Sequence, residues 1–268
     1  MADMHLTRVL VERGALGALA AAGIAVAAWR AGALSRSGAA AAVVVGAAST
    51  MAGWNWGALL ILYFLAGTIV SQIGRLEKEQ RTGGVVAKGG ARDATQVIAN
   101  GGVFAACTLC IPLGMSLAGV AAVGALAASL ADTFGTEIGT LFGGAPRSVL
   151  TFRTVPVGTS GGISGAGSLG LLAGATFVGG TALLLGASTP VGIVVIAGVA
   201  GAMVDSLLGA TIQERRWCPS CESSSEQRVH ACGTATVPDG GRAWMNNDMV
   251  NFIATLAGAG VAALLATL

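Results

Sequence analysis

The chain has 268 residues, of which 54% are hydrophobic and only 10% charged, with a mean hydropathy of +0.75. A soluble domain carries about 25% charged residues, so this composition excludes an ordinary soluble protein and predicts an integral membrane protein. A net charge of +2 with no basic stripe between aromatics excludes nucleic acid as a partner, and 42 glycines without a Gly-X-Y period exclude collagen and fit close helix packing.

About 20 apolar residues cross a bilayer core. Apolar segments of roughly that length lie near 13–34, 38–53, 56–74, 95–115, 117–142, 163–185, 190–212 and 249–267. The predicted fold class is all-α: a polytopic membrane helix bundle of seven to eight transmembrane helices, the short 38–53 segment making the difference. Arg8, Glu12 and Arg13 precede the first segment as they would a signal peptide. No clear cleavage site follows, so it reads as a retained helix. Residues 1–74 are expected to form N-terminal membrane helices. Residues 75–268 are expected to form a catalytic membrane domain that includes a cytosolic zinc-binding loop at 214–247.

Basic residues set the orientation. They collect in 30–37 (Arg30, Arg36), 75–92 (Arg75, Lys78, Arg81, Lys88, Arg92), 144–161 (Arg147, Arg153) and 214–247 (Arg215, Arg216, Arg228, Arg242). The turns near 53–56, 112–117 and 186–190 carry no Lys or Arg. With eight spans every basic loop falls on one side, expected to be the cytoplasm.

Asp132 and Asp205 sit inside apolar runs, where a carboxylate costs at least about 2.5 kcal/mol and marks a functional site by default. Residues four apart stack on one helix face. Arg92, Gln96 and Asn100 form one such row. Asp132 with Thr136, Asp205 with Gly209 and Gln213, and Asn247 with Asn251 form three more, all at the cytoplasmic ends of their spans. A packed bundle would focus them into one cleft facing the cytosol. Glu137, five residues after Asp132, joins that cleft if Gly135 and Gly139 let the helix kink.

Two glycine-rich loops read as anion cradles, 83–92 with Lys88 and Arg92, and 154–164 with Gly158, Thr159, Ser160, Gly161, Gly162 and Ser164. Glycine lets several N–H groups point at one phosphate, and the second loop leads into a helix N-terminus. Neither matches Walker A or a Rossmann fingerprint, and ordinary turns use the same residues. Carboxylates for Mg²⁺ at Asp132, Asp205 and Glu137, cations at Lys88, Arg92 and Arg153, and two such loops are the parts of a phosphoryl-transfer site. The competing reading pairs Asp132 and Asp205 with Arg92 or Arg153 as structural bridges.

Cys218, Cys221, His230 and Cys232 have the spacing of a closed, structural zinc site. A redox pair or a disulfide are the alternatives, the disulfide disfavoured in a reducing compartment. Cys107 and Cys110, within a span, read as small packing residues.

Five stretches together carry a family resemblance: Lys88-Gly-Gly-x-Arg92-Asp93-x-x-Gln96-Val-x-Ala-Asn100-Gly101-Gly102, Asp132-Thr133-x-x-Thr136-Glu137-Ile-Gly139, Pro156-x-Gly158-Thr159-x-Gly161-Gly162-x-Ser164, Asp205-Ser206-Leu-Leu-Gly209-Ala-Thr211-x-Gln213 and Asn247-Asp248-x-Val250-Asn251. The series resembles the integral-membrane phytyl-phosphate kinase family of plants and cyanobacteria, with its prokaryotic and animal relatives. It runs in order from about residue 80 to the C-terminus. Thr136 stands where the family pattern has Ser, which keeps the hydroxyl.

The resemblance implies a kinase that transfers a phosphoryl group from a nucleoside triphosphate, CTP being a candidate donor, to an isoprenyl monophosphate. On that reading Asp132 and Asp205 bind Mg²⁺ with Glu137 beside them. Lys88 and Arg92 bind triphosphate, and Arg153 with the 158–164 loop binds lipid phosphate. Gln96, Asn100, Gln213, Asn247 and Asn251 orient ligands. The expected partners are the nucleotide, the isoprenyl monophosphate and membrane lipids. A CDP-lipid-type nucleotidyltransferase could use the same parts, and a membrane transporter is the competing class.

Overall fold

Small residues decide which helices touch in this molecule. The computed structural model describes the backbone of residues 2–82 and 90–268 and the side chains of 7–82 and 90–268. Its helices are α1 (Ala2–Arg30), α2 (Arg36–Ala52), α3 (Trp54–Gln72), the short α4 (Arg75–Thr82), α5 (Ala94–Cys110), α6 (Ala118–Phe142), α7 (Gly165–Leu184), α8 (Val191–Thr211) and α9 (Asn247–Leu265). Six of them, α1, α3, α6, α7, α8 and α9, are long and apolar enough to cross a membrane. The sequence reading expected seven to eight. The remaining two long helices, α2 and α5, have 17 residues each. At about 1.5 Å per residue they fall just short of a ~30 Å hydrocarbon core.

Helix α6 is the axis of the bundle. Ala122, Val123, Ala125, Leu126, Ala127 and Ala128 have no exposed surface, because α3, α5, α7, α8 and α9 all pack on it. Glycine allows the approach: a Cβ on Gly174 of α7 would lie 2.6 Å from the Leu130 carbonyl oxygen, and one on Gly258 of α9 would lie 2.6 Å from the Gly124 oxygen. In lipid, where apolar surface gains nothing by association, such close backbone packing supplies much of the attraction. By contrast α1 leans on α2 and touches little else.

The two ends of the bundle are built differently. Helices α2, α5, α7 and α9 begin at one end, and each has a side-chain N-cap: Ser35, Asp93, Ser164 and Asn246. At α5 the cap is a full capping box, in which Asp93 accepts from the Gln96 backbone and the Gln96 side chain accepts from the Asp93 N–H. Helices α3, α6 and α8 begin at the opposite end without side-chain caps. Beside the capped end the chain leaving α1 meets the approach to α5: Ser35 N donates to Arg92 O and Arg92 N to Ala33 O, both at 3.0 Å. That pair of bonds fixes Arg92.

The all-α expectation holds for the membrane part. Outside it, β1 (Arg147–Ser148) pairs antiparallel with β2 (Gly162–Ile163). The 214–247 segment is more than a loop. It forms a three-stranded antiparallel sheet of order β4-β3-β5, from β3 (Arg215–Cys218), β4 (Ser223–Ser225) and β5 (Val237–Gly240).

Candidate functional site

At the capped end a cleft of about 470 Å³ opens between α3, α4, α5, α6, α8, α9 and the loop before α7. Its walls include Arg92, Gln96, Asn100, Asp132, Glu137, Gly158, Thr159, Ser160, Gly161, Gly162, Ser164, Asp205, Asn247 and Asn251. Helical spacing explains much of the convergence: Gln96 with Asn100, Asp132 with Thr136, and Asn247 with Asn251 each face this space from one helix, whereas α8 ends at Thr211, before Gln213.

Two expected residues stand elsewhere. Arg153 is exposed and does not line the cleft. It follows Phe152, whose φ of 54° turns the chain outward, and its carbonyl accepts from Ser148 N. Gln213 is buried behind the wall, where its Nε2 donates to Glu226 Oε1 at 2.9 Å. Lys88 and most of the first glycine-rich loop lie outside the described residues.

Glu137 reaches the cleft without the kink that its spacing from Asp132 suggests: α6 runs unbroken through Gly135 and Gly139. Those glycines face α7 instead, with a Cβ on Gly139 placed 3.2 Å from both Gly167 Cα and Ser164 Oγ. Five residues of helix turn the side chain by about 140°, and the cleft wraps far enough around the end of α6 to reach both carboxylates. Glu137 is claimed by a residue the sequence reading used only for orientation. Lys78 Nζ donates to Glu137 Oε2 at 2.5 Å and to the carbonyls of Val70 and Ser71 at 3.1 and 2.9 Å. The side chains are 8% and 24% exposed, so this ion pair is shielded from solvent screening. Breaking a buried pair from one side costs about 3–5 kcal/mol, and the partial exposure of Glu137 puts Lys78→Met near the lower end. We expect Lys78→Met to lower the unfolding midpoint in detergent, and Lys78→Met/Glu137→Gln to recover most of the loss.

Glu226 is the second residue that sequence reasoning missed. It follows β4 directly and reaches the cleft from the sheet. Its carboxylate accepts from Ser160 Oγ and from Gln213. A lone Glu in a polar segment carries no sequence signal; only the sheet brings it to the site.

Other polar groups are partly committed to structure. Ser164 Oγ accepts from Gly167 N at 3.1 Å. Asn100 accepts from Ser129 Oγ at 2.8 Å and donates to the Gln96 carbonyl at 3.0 Å, and Ser129 is bonded in turn to Tyr63 at 2.7 Å. Arg92 donates to Thr68 Oγ1 at 2.9 Å and stands over the Phe64 ring at 5.6 Å. Among the described residues it pairs with no carboxylate, and neither do Asp132 or Asp205 pair with Arg153.

Asp205 is the unusual group. Its Oδ2 is buried without a hydrogen-bond partner among the described residues. Asp132, Glu137 and Glu226 line the same cleft. Native proteins pair or hydrogen-bond buried carboxylates. Oxygen donors of this kind, gathered with one of them unsatisfied, fit a hard divalent cation.

Cys218, Cys221, His230 and Cys232 form a second cluster, with one ligand atom from each within 4.8 Å of the others. Cys218 and Cys232 sulfurs are 3.6 Å apart, and His230 Nδ1 is 3.2 Å from Cys232 Sγ. Metal–sulfur bonds of about 2.3 Å in a tetrahedron require edges near these lengths. Hydrogen bonds from Thr234 and His230 pull the Cys232 thiol down to about 5, toward the thiolate a metal takes. All four positions match the sequence expectation of a metal-type cluster.

Comparison with known proteins agrees with the membrane architecture. The model for "Integral membrane protein DUF92" matches residues 19–259. Protein PGR of Arabidopsis thaliana is 32% identical over 233 residues, covering 76% of this chain and 79% of its own. Protein VTE6, chloroplastic, of the same plant is 30% identical over 245 residues, covering 87% of this chain and 65% of its own. An uncharacterized membrane protein of Methanocaldococcus jannaschii is 30% identical over 164 residues, covering 61% of this chain and 67% of its own. No solved structure matches. With 241 consecutive residues spanned by the family model, the chain belongs to the DUF92 family of integral membrane proteins.

Proposed function

We propose that this protein is a membrane kinase that transfers the γ-phosphoryl group of a nucleoside triphosphate to an isoprenyl monophosphate, giving the diphosphate. The observation that carries this reading is the buried Asp205 oxygen, without a partner among the described residues, in a cleft lined also by Asp132, Glu137, Glu226, Arg92 and capped helix N-termini. Similarity to Protein VTE6, chloroplastic, and the motif resemblance to phytyl-phosphate kinases support the substrate class.

In the reaction a lipid phosphate oxygen attacks the γ-phosphorus, the bond to the β-bridging oxygen breaks, and nucleoside diphosphate leaves. A phosphate monoester is mostly ionised at pH 7, so no side chain need act as base. The protein's task is positioning and charge neutralisation. Asp132 and Asp205 would hold Mg²⁺, whose chemistry when bound is to neutralise phosphate charge. Glu137 offers only its Oε1, because Lys78 holds the other oxygen, and Glu226 faces the same space. Lys88 takes triphosphate oxygens, and Arg92, which lines the cleft, stands between the γ-phosphate and the lipid phosphate that attacks it. The backbone of 158–162 and the N-terminus of α7 cradle a phosphate; Ser164 contributes as the cap. The cysteine–histidine cluster takes zinc as a structural metal. On this reading α2 and α5 are embedded too, and with eight crossings every basic loop and the cleft would face the cytoplasm.

The test is a matrix of donors and acceptors. Purified protein is given phytyl or geranylgeranyl phosphate with Mg²⁺ and each nucleoside triphosphate. Lipid diphosphate plus nucleoside diphosphate supports the kinase; released pyrophosphate and a CDP-lipid mean nucleotidyl transfer; no conversion with any pair contradicts both enzyme readings.

A further inference from the structure

We propose that an apolar groove between α1, α2, α3 and α5 is the binding site for the single hydrocarbon chain of the lipid phosphate, and that it sets the chain length the protein accepts. The inference rests on the kinase reading for its head group.

The groove holds about 350 Å³. It meets the polar cleft at four residues that line both spaces, Arg92, Gln96, Asn100 and Thr133. From there its walls turn apolar: small residues of α1 and α2 such as Ala21, Ala28 and Gly46 face Ile61 and Phe64 of α3. Among the described residues no acidic side chain lines it, and Arg92 is its one charged residue. A molecule with an anionic head and an apolar tail therefore has one orientation here, head at Arg92 and tail toward Trp54.

Length and calibre narrow the occupant. On α3 the lining runs from Gly67 to Trp54, about 20 Å at 1.5 Å per residue. That exceeds half of a ~30 Å bilayer core, so the groove takes a chain longer than one leaflet. Its volume is at the lower end of the ~300–1,000 Å³ typical of ligand pockets, which suits one chain and not the paired chains of a diacyl lipid. Helix α1 packs on α2 and scarcely on α3, so the seam between α1 and α3 is the proposed entrance for the chain from the membrane. Removing an isoprenoid chain from bulk lipid gains little apolar energy, so the selection comes from fit and from the tethered phosphate.

Ala58, one turn in from Trp54, lies near the far end of the groove. Ala58→Trp should cut the ratio of geranylgeranyl-phosphate to geranyl-phosphate turnover about tenfold, because only the longer tail reaches that depth. A direct readout needs no turnover: a geranylgeranyl monophosphate with a diazirine at its distal end is photolysed on wild-type protein in nanodiscs and the adducts are mapped. Adducts on α1 to α3 near Gly17, Thr50 and Ala58, competed by unlabelled isoprenyl phosphate, are expected. Adducts on α7 and α8, or adducts that competitor leaves unchanged as for bulk lipid, overturn the proposal. If wild type turns over no lipid phosphate, the kinase reading falls while the adduct map still decides the groove.

Discussion

Asp205→Asn will abolish phosphoryl transfer and leave the fold intact. The substitution keeps the shape of the side chain and removes the charge that a cation needs. Loss of at least about a thousandfold in rate is expected, corresponding to about 4 kcal/mol of transition-state stabilisation. Asp132→Asn should behave alike, because the two carboxylates face the same cleft from α6 and α8. The stability readout separates this account from a structural role. An unpartnered buried carboxylate is a cost to the folded protein, so without divalent metal Asp205→Asn should unfold at the same temperature as wild type or higher. Adding Mg²⁺ should stabilise wild type by mass action and leave the variant unmoved. A variant that unfolds early and keeps its activity would make Asp205 a packing residue.

The second large effect is expected at the cysteine–histidine cluster, on loss of the zinc proposed to bind there. The β3–β4–β5 sheet has little buried core of its own, and its hairpin between β3 and β4 is closed by Cys218 and Cys221. Structural zinc in such small elements supplies folding energy outright. Cys218→Ser or exhaustive chelation should therefore disorder the sheet and withdraw Glu226 from Ser160 and Gln213. Activity should drop about 10- to 100-fold, the usual scale for losing groups that orient metal ligands. Glu226→Gln, with zinc content unchanged by elemental analysis, should reproduce a large part of the loss. Full activity after stoichiometric zinc release would detach the sheet from the site.

Much of the cleft was legible because membrane helices leave few places for polar side chains. Rows four apart at Gln96 and Asn100, Asp132, Asp205, and Asn247 and Asn251 led to one space. The misses have physical causes. Lys78 belongs to α4, whose charged spelling reads as a solvated helix with i,i+4 pairs Arg75–Glu79 and Glu77–Arg81. Only the fold turns one ammonium inward to the carbonyls that end α3. Arg153 looked like a phosphate ligand by charge and neighbourhood, but a left-handed turn at Phe152 faces it away. Glycines 135 and 139 suggested a break in α6 and instead serve contact with α7, two uses that a sequence spells the same way.

The fate of a labelled phosphate tests the central claim most directly. Purified protein is incubated with Mg²⁺, an isoprenyl monophosphate, and nucleoside triphosphate labelled in parallel reactions at the γ- or the α-phosphorus. The kinase account predicts label in the lipid diphosphate from the γ-position only, absent in Asp205→Asn. Label entering lipid from the α-position, or no transfer from either with any nucleotide, would contradict it.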